Sequence, residues 1–421
     1  MVTPTRPAKL GPFNLGVNNR LPDTELTIPK VGTFLRAGAN VDVTSPGILK
    51  RRQGFTESLA GTDCHSFWSD DARAYVVDGT TLFCLTGSPT ALVKAAVRSG
   101  LTPGARLSYT DVGGRLVYSD GSVLRCLEGA SDKPLGVPLL DPQPVVSAGS
   151  TGALPAGKYQ LCFTYLGDDL QQSGSTTPVQ LDVAEGQGIV ITGLPAAFPA
   201  GIAGIAVYMT PVNGDQLLLA QMLSAPQASL TVATSPQLGG RCQTLLLKPM
   251  PAGSIVRHNN GRLLVATGSF LTYSDPYALS LQRPEKNFIP FPSAITVVES
   301  VKTGTYVATL DKTYFFAGDI AEATADEVLP YGAVPGTGGT SPDRLKCWWM
   351  STRGLIQAAG GEVKNVQEDA IAMNKAALGA SLFREQDGIK QVVTSLFGTE
   401  ASGAAAYSFM DGEIVRKGTV L

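Results

Sequence analysis

Along most of the chain, apolar and polar residues alternate in short runs separated by turns rich in Gly, Pro and Asp. A period of two predicts half-buried β-strands. The stretch from Arg73 to Leu85 is one alternating run, an Asp78-Gly79 turn and a second run, and Arg115 to Leu127 repeats it around Asp120-Gly121. Asp-Gly between alternating runs marks a hairpin, because a type I′ turn needs positive φ at both central residues. Weaker copies run from Arg262 to Ser274, Thr305 to Phe316, Arg353 to Val366 and Ala405 to Arg416. The turns fall at Gly79, Gly121, Gly268, Asp311, Gly361 and Gly412, in steps of 42, 147, 43, 50 and 51 residues.

Four of these steps have the length of a four-stranded propeller blade, roughly 40 to 50 residues. The long step holds one blade and an insertion of about 105 residues. A second mark of register is Cys64 to Trp68 in one copy and Cys347 to Trp349 in another, both read as buried blade strands before their turns. Inside the insertion, Leu154 to Tyr165 and short runs at 179–183, 189–192, 205–209 and 216–220 predict a small sandwich. The expected fold is all-β, a β-propeller of about six blades with an inserted immunoglobulin- or fibronectin-like β-sandwich. Its parts are an N-terminal arm (1–30), a first propeller part (31–140), the sandwich (141–248) and a second propeller part (249–421). The best candidate helix is Val366 to Leu378, where Glu368 and Asp369 open a weak helical pattern. With a hairpin so close to the C-terminus, the strands between Asn40 and Phe55 are expected to complete the last blade.

Composition narrows the function. The 421 residues carry 33 Lys and Arg against 35 Asp and Glu, a net charge of −2, which argues against a basic nucleic-acid-binding protein. Charged residues are only 16% of the chain and apolar residues 43%, as expected where other subunits cover much of the surface. Gly and Pro are spread between apolar runs and not gathered in one disordered tract. No apolar leader or membrane-length run is seen, so a soluble protein made in the cytoplasm is expected, its six scattered cysteines as free thiols.

Catalytic signatures are sparse. His65 and His258 are too few for a histidine-rich metal site, and no zinc spacing, GxSxG elbow or Walker loop occurs. His65, between apolar residues, reads as a structural histidine. Gly336 to Gly339, flanked by Pro335 and Pro342, reads as a plain loop. Cys84 and Cys126 stand at the same distance from their hairpin glycines and read as equivalent small core residues. The pairs Asp70-Asp71, Asp168-Asp169 and Glu368-Asp369 read as solvated turns in preference to a calcium or acid/base site, since no third ligand has a recognisable spacing. Tyr159, Phe163 and Tyr165 read as core or strand-face residues in preference to a sugar platform. No catalytic residue, cofactor or metal is expected. The densest basic run, Lys50-Arg51-Arg52, is a candidate contact for phosphate or an acidic partner, set against an exposed edge strand guarded by charge.

Two N-terminal stretches, Gly11 to Arg20 (with Gly16, Asn18, Asn19 and Arg20 as G-x-N-N-R) and Asn40 to Phe55 (an N-V-D strand, then a G-x-L-x-R-R-x-G-F strand), resemble the start of the nozzle, or tail-stabilisation, proteins of short-tailed bacteriophages. The resemblance implies a structural virion protein, not an enzyme, in a six-fold ring below the portal and adaptor. Such a ring extends the DNA-exit channel and supports fibre or spike attachment. Implied partners are further copies of the chain, the adaptor, a fibre or spike, and double-stranded DNA in transit. Low charge suits a conduit, because each paired cation adds salt-dependent grip on phosphate. A carbohydrate-binding or carbohydrate-cleaving propeller, such as a depolymerase or lectin, and a tail-tip or connector component of a long-tailed phage remain as alternatives.

Overall fold

The computed structural model describes residues 11–38, 41–43, 47–51, 57–88, 91–371, 376–386, 389–398, 405–410 and 414–419. The described chain is all-β apart from one short 3-10 turn at Asp23–Glu25. Six four-stranded antiparallel meanders follow one another along it. Blade I is Cys64–Ser69, Ala74–Asp78, Thr81–Ser88 and Ala91–Arg98, and blade II is Ser108–Val112, Arg115–Ser119, Leu124–Glu128 and Ser131–Pro134. Blade III is Ile255–Asn259, Arg262–Thr267, Phe270–Tyr273 and Phe288–Pro290, and blade IV is Ile295–Val301, Gly304–Thr309, Thr313–Ala317 and Ala325–Leu329. Blade V is Gly339–Thr340, Cys347–Ser351, Gly354–Ala359 and Glu362–Asn365, and blade VI is Ala376–Gln386, Ile389–Gly398, Ala405–Met410 and Ile414–Thr419.

The second strands of blades I to V are buried along nearly their whole length, not half-buried as a period of two predicts. Successive side chains of a strand point to opposite faces of its sheet, so a sheet stacked between two others must be apolar on both. In blade II, Leu116 and Tyr118 pack towards blade I, while Val117 between them packs towards blade III. In blade III, Leu263 and Val265 face blade II, and Leu264 and Ala266 face blade IV. Tyr306 of blade IV meets Trp349 of blade V, whose neighbours Trp348 and Met350 turn to blade VI. Each of the five interfaces from blade I to blade VI is thus a separate core, and stacking sheet on sheet buries what one sheet alone would expose.

Between blades II and III lie two further antiparallel sheets. One pairs Val145–Ala148, Ile189–Thr192 and Ser229–Val232, and the other pairs Val179–Val183, Gly157–Gly167, Ile202–Met209 and Leu218–Leu223. They share a single core, with Ile189, Ile191 and Val232 from the first sheet against Tyr159, Leu161, Phe163, Ile205 and Val207 from the second.

Several expectations need correction. The turns at Gly79, Gly121, Gly268 and Asp311 join second to third strands, but Gly361 joins the third strand of blade V to the fourth. Gly412 lies outside the described residues, and the strands flanking it are again third and fourth. Every turn of a meander needs the same tight-turn chemistry, so turn residues do not number the strands they join. Correspondingly, Cys347–Ser351 is a fully buried second strand, whereas Cys64–Ser69 is a first strand with Cys64 exposed. No helix forms over the described part of 366–378: residues 366–371 are turns and 376–378 begin a strand, while 372–375 lie outside the described residues. Ile371 instead plugs the core between blades V and VI. The two chain ends do not share the last blade. All four strands of blade VI come from the C-terminal segment, and Val41–Val43 pairs with Leu49–Arg51 in a two-stranded sheet of its own.

Candidate functional site: the axial cavity and its polar belt

The first strands of the blades converge on a cavity of about 1310 Å³, lined from all six blades by residues that include Ser66, Tyr109, Arg257, Glu299, Thr340 and Phe397. This convergence makes the arrangement a β-propeller.

Polar side chains on these inner strands join blade to blade. A β-bulge between His65 and Trp68 leaves Ser66 at φ 52° and turns it towards blade II. There its Oγ accepts the Leu107 N–H at 2.9 Å, and its carbonyl accepts the Tyr109 hydroxyl at 3.0 Å. Ser108 Oγ then accepts the Val256 N–H of blade III at 3.0 Å. The Arg257 guanidinium donates Nη1 to Ser108 Oγ at 3.1 Å and Nη2 to Glu299 Oε1 of blade IV at 2.6 Å. The other Glu299 oxygen accepts the Thr340 hydroxyl of blade V at 2.7 Å. The Gly379 N–H of blade VI donates to Pro335 O at 2.9 Å. Arg106, just ahead of blade II, closes the belt: its Nη1 donates to Gly379 O at 3.3 Å and its guanidinium lies over the Phe397 ring.

Electrostatics follow from this wiring. Glu299 keeps only 3% of its side-chain surface exposed and is paired and doubly hydrogen-bonded, as a buried charge must be. Burial lowers the His258 pKa below its ordinary value, and Arg344 beside it adds to the effect. Arg344 Nη2 donates to the His258 carbonyl at 2.8 Å. The Gly336 to Gly339 stretch is more than a plain loop. A Cβ on Gly338 would stand 2.5 Å from Glu299 Oε1, and one on Gly336 would stand 2.4 Å from Gly379 O, so the belt passes only because these positions lack side chains.

The residues singled out in the sequence lie elsewhere. Lys50 and Arg51 are exposed on the Leu49–Arg51 strand and do not line the cavity, and Arg52 lies outside the described residues. His65 lines the cavity and hydrogen-bonds Ser66 Oγ at 2.8 Å and Gly79 O at 3.3 Å. Asp70 accepts the Ala72 and Arg73 amides and pairs with the Arg73 guanidinium, which also reaches Asp111 of blade II. Asp169 holds a turn through Gln171, and Glu368 faces Arg353 at 3.8 Å. Cys126 is buried and Cys84 half-buried. Tyr159, Phe163 and Tyr165 are core residues of the inserted segment.

Among the described residues, no group of three or more His, Cys, Asp or Glu side chains is placed to hold a metal ion. No helix of the described residues is long and apolar enough to cross a membrane. The belt residues were missed in the sequence, although Glu299 within the otherwise uncharged run 295–301 was a readable signal.

No protein-family model and no curated protein matches the chain. Among solved structures, the chain is similar to Kluyveromyces lactis Hsv2 at 8% identity, covering 85% of this chain and 98% of that one with a TM-score of 0.32. It is also similar to the Neurospora crassa Pan2 WD40 domain, at 8% identity over 78% and 85% of the two chains with a TM-score of 0.32. A third similar structure is the dihydro-heme d1 dehydrogenase NirN, at 13% identity over 67% and 58% with a TM-score of 0.30.

Proposed function

We propose that this chain is a structural protein of a bacteriophage tail. In this reading it builds the nozzle ring, a homo-hexamer below the portal and adaptor that extends the DNA-exit channel and supports a fibre or spike. The propeller is the body of each subunit, and the segment between blades II and III is an immunoglobulin- or fibronectin-like sandwich carried on it.

The observation that supports the reading most is the way the two resembling N-terminal stretches meet. Phe13 N–H donates to Gly47 O at 2.8 Å, so residues from both stretches form one unit. Val17 bridges to Leu35, and Asn18 Oδ1 accepts the Arg20 and Leu21 amides at 3.0 Å each. Asn19 N–H donates to Ala370 O at 2.9 Å, which ties the unit to the chain between blades V and VI. It exposes Ile28, Val31, Ile48 and Leu49, together with Lys50 and Arg51 and with Asp23 and Glu25. Exposed apolar residues among charged ones on one unit suit contact with a neighbouring subunit or an adaptor surface.

Light scattering and negative-stain imaging of the purified chain, alone and mixed with the portal and adaptor proteins of the same genome, test this. Rings seated on the adaptor are the expected result. A stable monomer that ignores the adaptor but cleaves or retains polysaccharide overturns it in favour of a carbohydrate-active propeller.

A further inference from the structure

Cys162 and Cys242 are both buried, at 0% and 7% exposure, in one small cluster with Ala206, Tyr208 and Leu217. The alternation of strands explains the placement of Cys162. Leu161 and Phe163 point into the shared core of the inserted segment, so Cys162 and its register partner Tyr208 point to the opposite face of that sheet. Cys242 arrives from a different part of the chain, the return towards blade III. That return is held by the Cys242 N–H to Leu217 O bond at 2.9 Å and by the bridge between Leu218 and Arg241. Both thiols sit in that one cluster, and the neighbouring Cys162 thiol lowers the Cys242 pKa, making Cys242 the better nucleophile of the pair. All six cysteines are free.

We propose that Cys162 and Cys242 are a disulfide-forming pair that clasps the return segment to the central strand of the inserted segment when the protein meets an oxidising small-molecule disulfide. The Cys242 thiolate attacks one sulfur of the reagent, whose S–S bond breaks and whose other half leaves as a thiol. The Cys162 sulfur then attacks the Cys242 sulfur, its proton passing to the second half of the reagent, which leaves as a thiol. The balance is two protein thiols oxidised, one reagent disulfide reduced, and one Cys162–Cys242 bond formed. The bond closes a loop containing every strand of the insertion that follows Cys162, so it removes conformational freedom from the unfolded chain. The inference is independent of the tail reading.

The test uses the full chain carrying Cys64→Ser, because Cys64 is exposed and would react on its own. The folded protein is incubated with oxidised glutathione, and its remaining thiols are counted after denaturation and its peptides mapped without reduction. Two thiols lost, with the Cys162 peptide joined to the Cys242 peptide and no glutathione retained, is the expected result. A rise in melting temperature that dithiothreitol reverses, and that is absent when Cys242→Ser is added, should accompany it. An unchanged thiol count, or losses that map to glutathione adducts or to Cys84, Cys126 or Cys347, overturns the proposal. The mapping decides the matter even if the Cys242→Ser chain fails to fold.

Discussion

Tyr75 and Tyr306 stand on the second strands of blades I and IV, and each hydroxyl reaches the turn between the third and fourth strands of the next blade. Tyr75 Oη donates to Gly129 O at 2.7 Å, and Tyr306 Oη donates to Glu362 O at 3.3 Å while accepting the Gly361 N–H at 2.8 Å. The same device therefore recurs three blades apart, each tyrosine preceding a valine on the second strand of hairpins that repeat one pattern. It links neighbouring blades through a backbone turn, which makes it indifferent to the turn's side chains.

Tyr306→Phe keeps the ring contacts with Phe315 and Trp349 but leaves the Gly361 amide without its acceptor. The expected loss is about 1–2 kcal/mol in denaturant unfolding, from one buried hydrogen-bond pair and an orphaned donor. Burial pushes the Tyr306 hydroxyl up to about 12, so the loss should not vary between neutral pH and about pH 9. A variant whose unfolding midpoint equals that of the parent would show that the hydroxyl contributes nothing to the joint.

Glu299 is the hub of the belt, tying blade III through Arg257 and blade V through Thr340. Glu299→Ala strands the Arg257 guanidinium beside the cavity and should cost about 3 kcal/mol, near the lower end for breaking a buried pair because Arg257 keeps 23% of its side-chain surface. Glu299→Gln retains an acceptor for Thr340 and should cost less. The check is urea unfolding of both variants, with Arg257→Met/Glu299→Leu as the apolar replacement. If Glu299→Ala matches the wild type, the belt does not hold the blades together.

His258 supplies a pH test whose sign is fixed. Burial and the neighbouring Arg344 lower its pKa below the ordinary 6.5, while Asp111 opposes them more weakly. The unfolded chain therefore takes up a proton at a higher pH than the folded one. Stability from this residue is complete above about pH 6.5 and is lost as pH falls through the folded-state value. His258→Gln should flatten the fall in melting temperature between about pH 7 and pH 5. An identical slope in wild type and variant would assign that fall to other groups.

What the sequence made legible was period and spacing. Alternation with Asp-Gly turns was enough to read hairpins at Gly79 and Gly121, but only the two glycines take positive φ, not Asp78 or Asp120, so neither turn is the type I′ turn the Asp-Gly pair predicts. The numbering of strands within a blade was not legible at Gly361, since nothing local distinguishes one turn of a meander from another. The belt escaped for a similar reason. Arg257, Glu299 and Thr340 come from separate blades and have meaning only once three inner strands are side by side. The basic run at Lys50 was easy to see because its residues are adjacent, yet adjacency put it on an exposed strand away from the cavity.

At Gly47 the N-terminal unit is sensitive to a single added atom. Its φ is +81°, and a Cβ there would stand 2.7 Å from Phe13 N and 2.8 Å from Asn14 N. Those are backbone atoms that cannot swing aside, and Phe13 N is the donor of the bond joining the two stretches. Gly47→Ala should therefore open the unit at a cost above about 1 kcal/mol, since strain in φ adds to the clash. Gly79→Ala is the comparison: its φ is +64° but its Cβ meets nothing within 4 Å, so it carries the φ cost alone. Limited proteolysis should cut Gly47→Ala within residues 11–51 faster than the parent, while the main unfolding transition of the blades stays in place. If the N-terminal unit is the contact face for neighbouring subunits, the same substitution should also weaken ring assembly on the adaptor without unfolding the propeller. Cleavage and assembly both equal to the parent would mean that the Phe13–Gly47 contact organises neither the unit nor its surface.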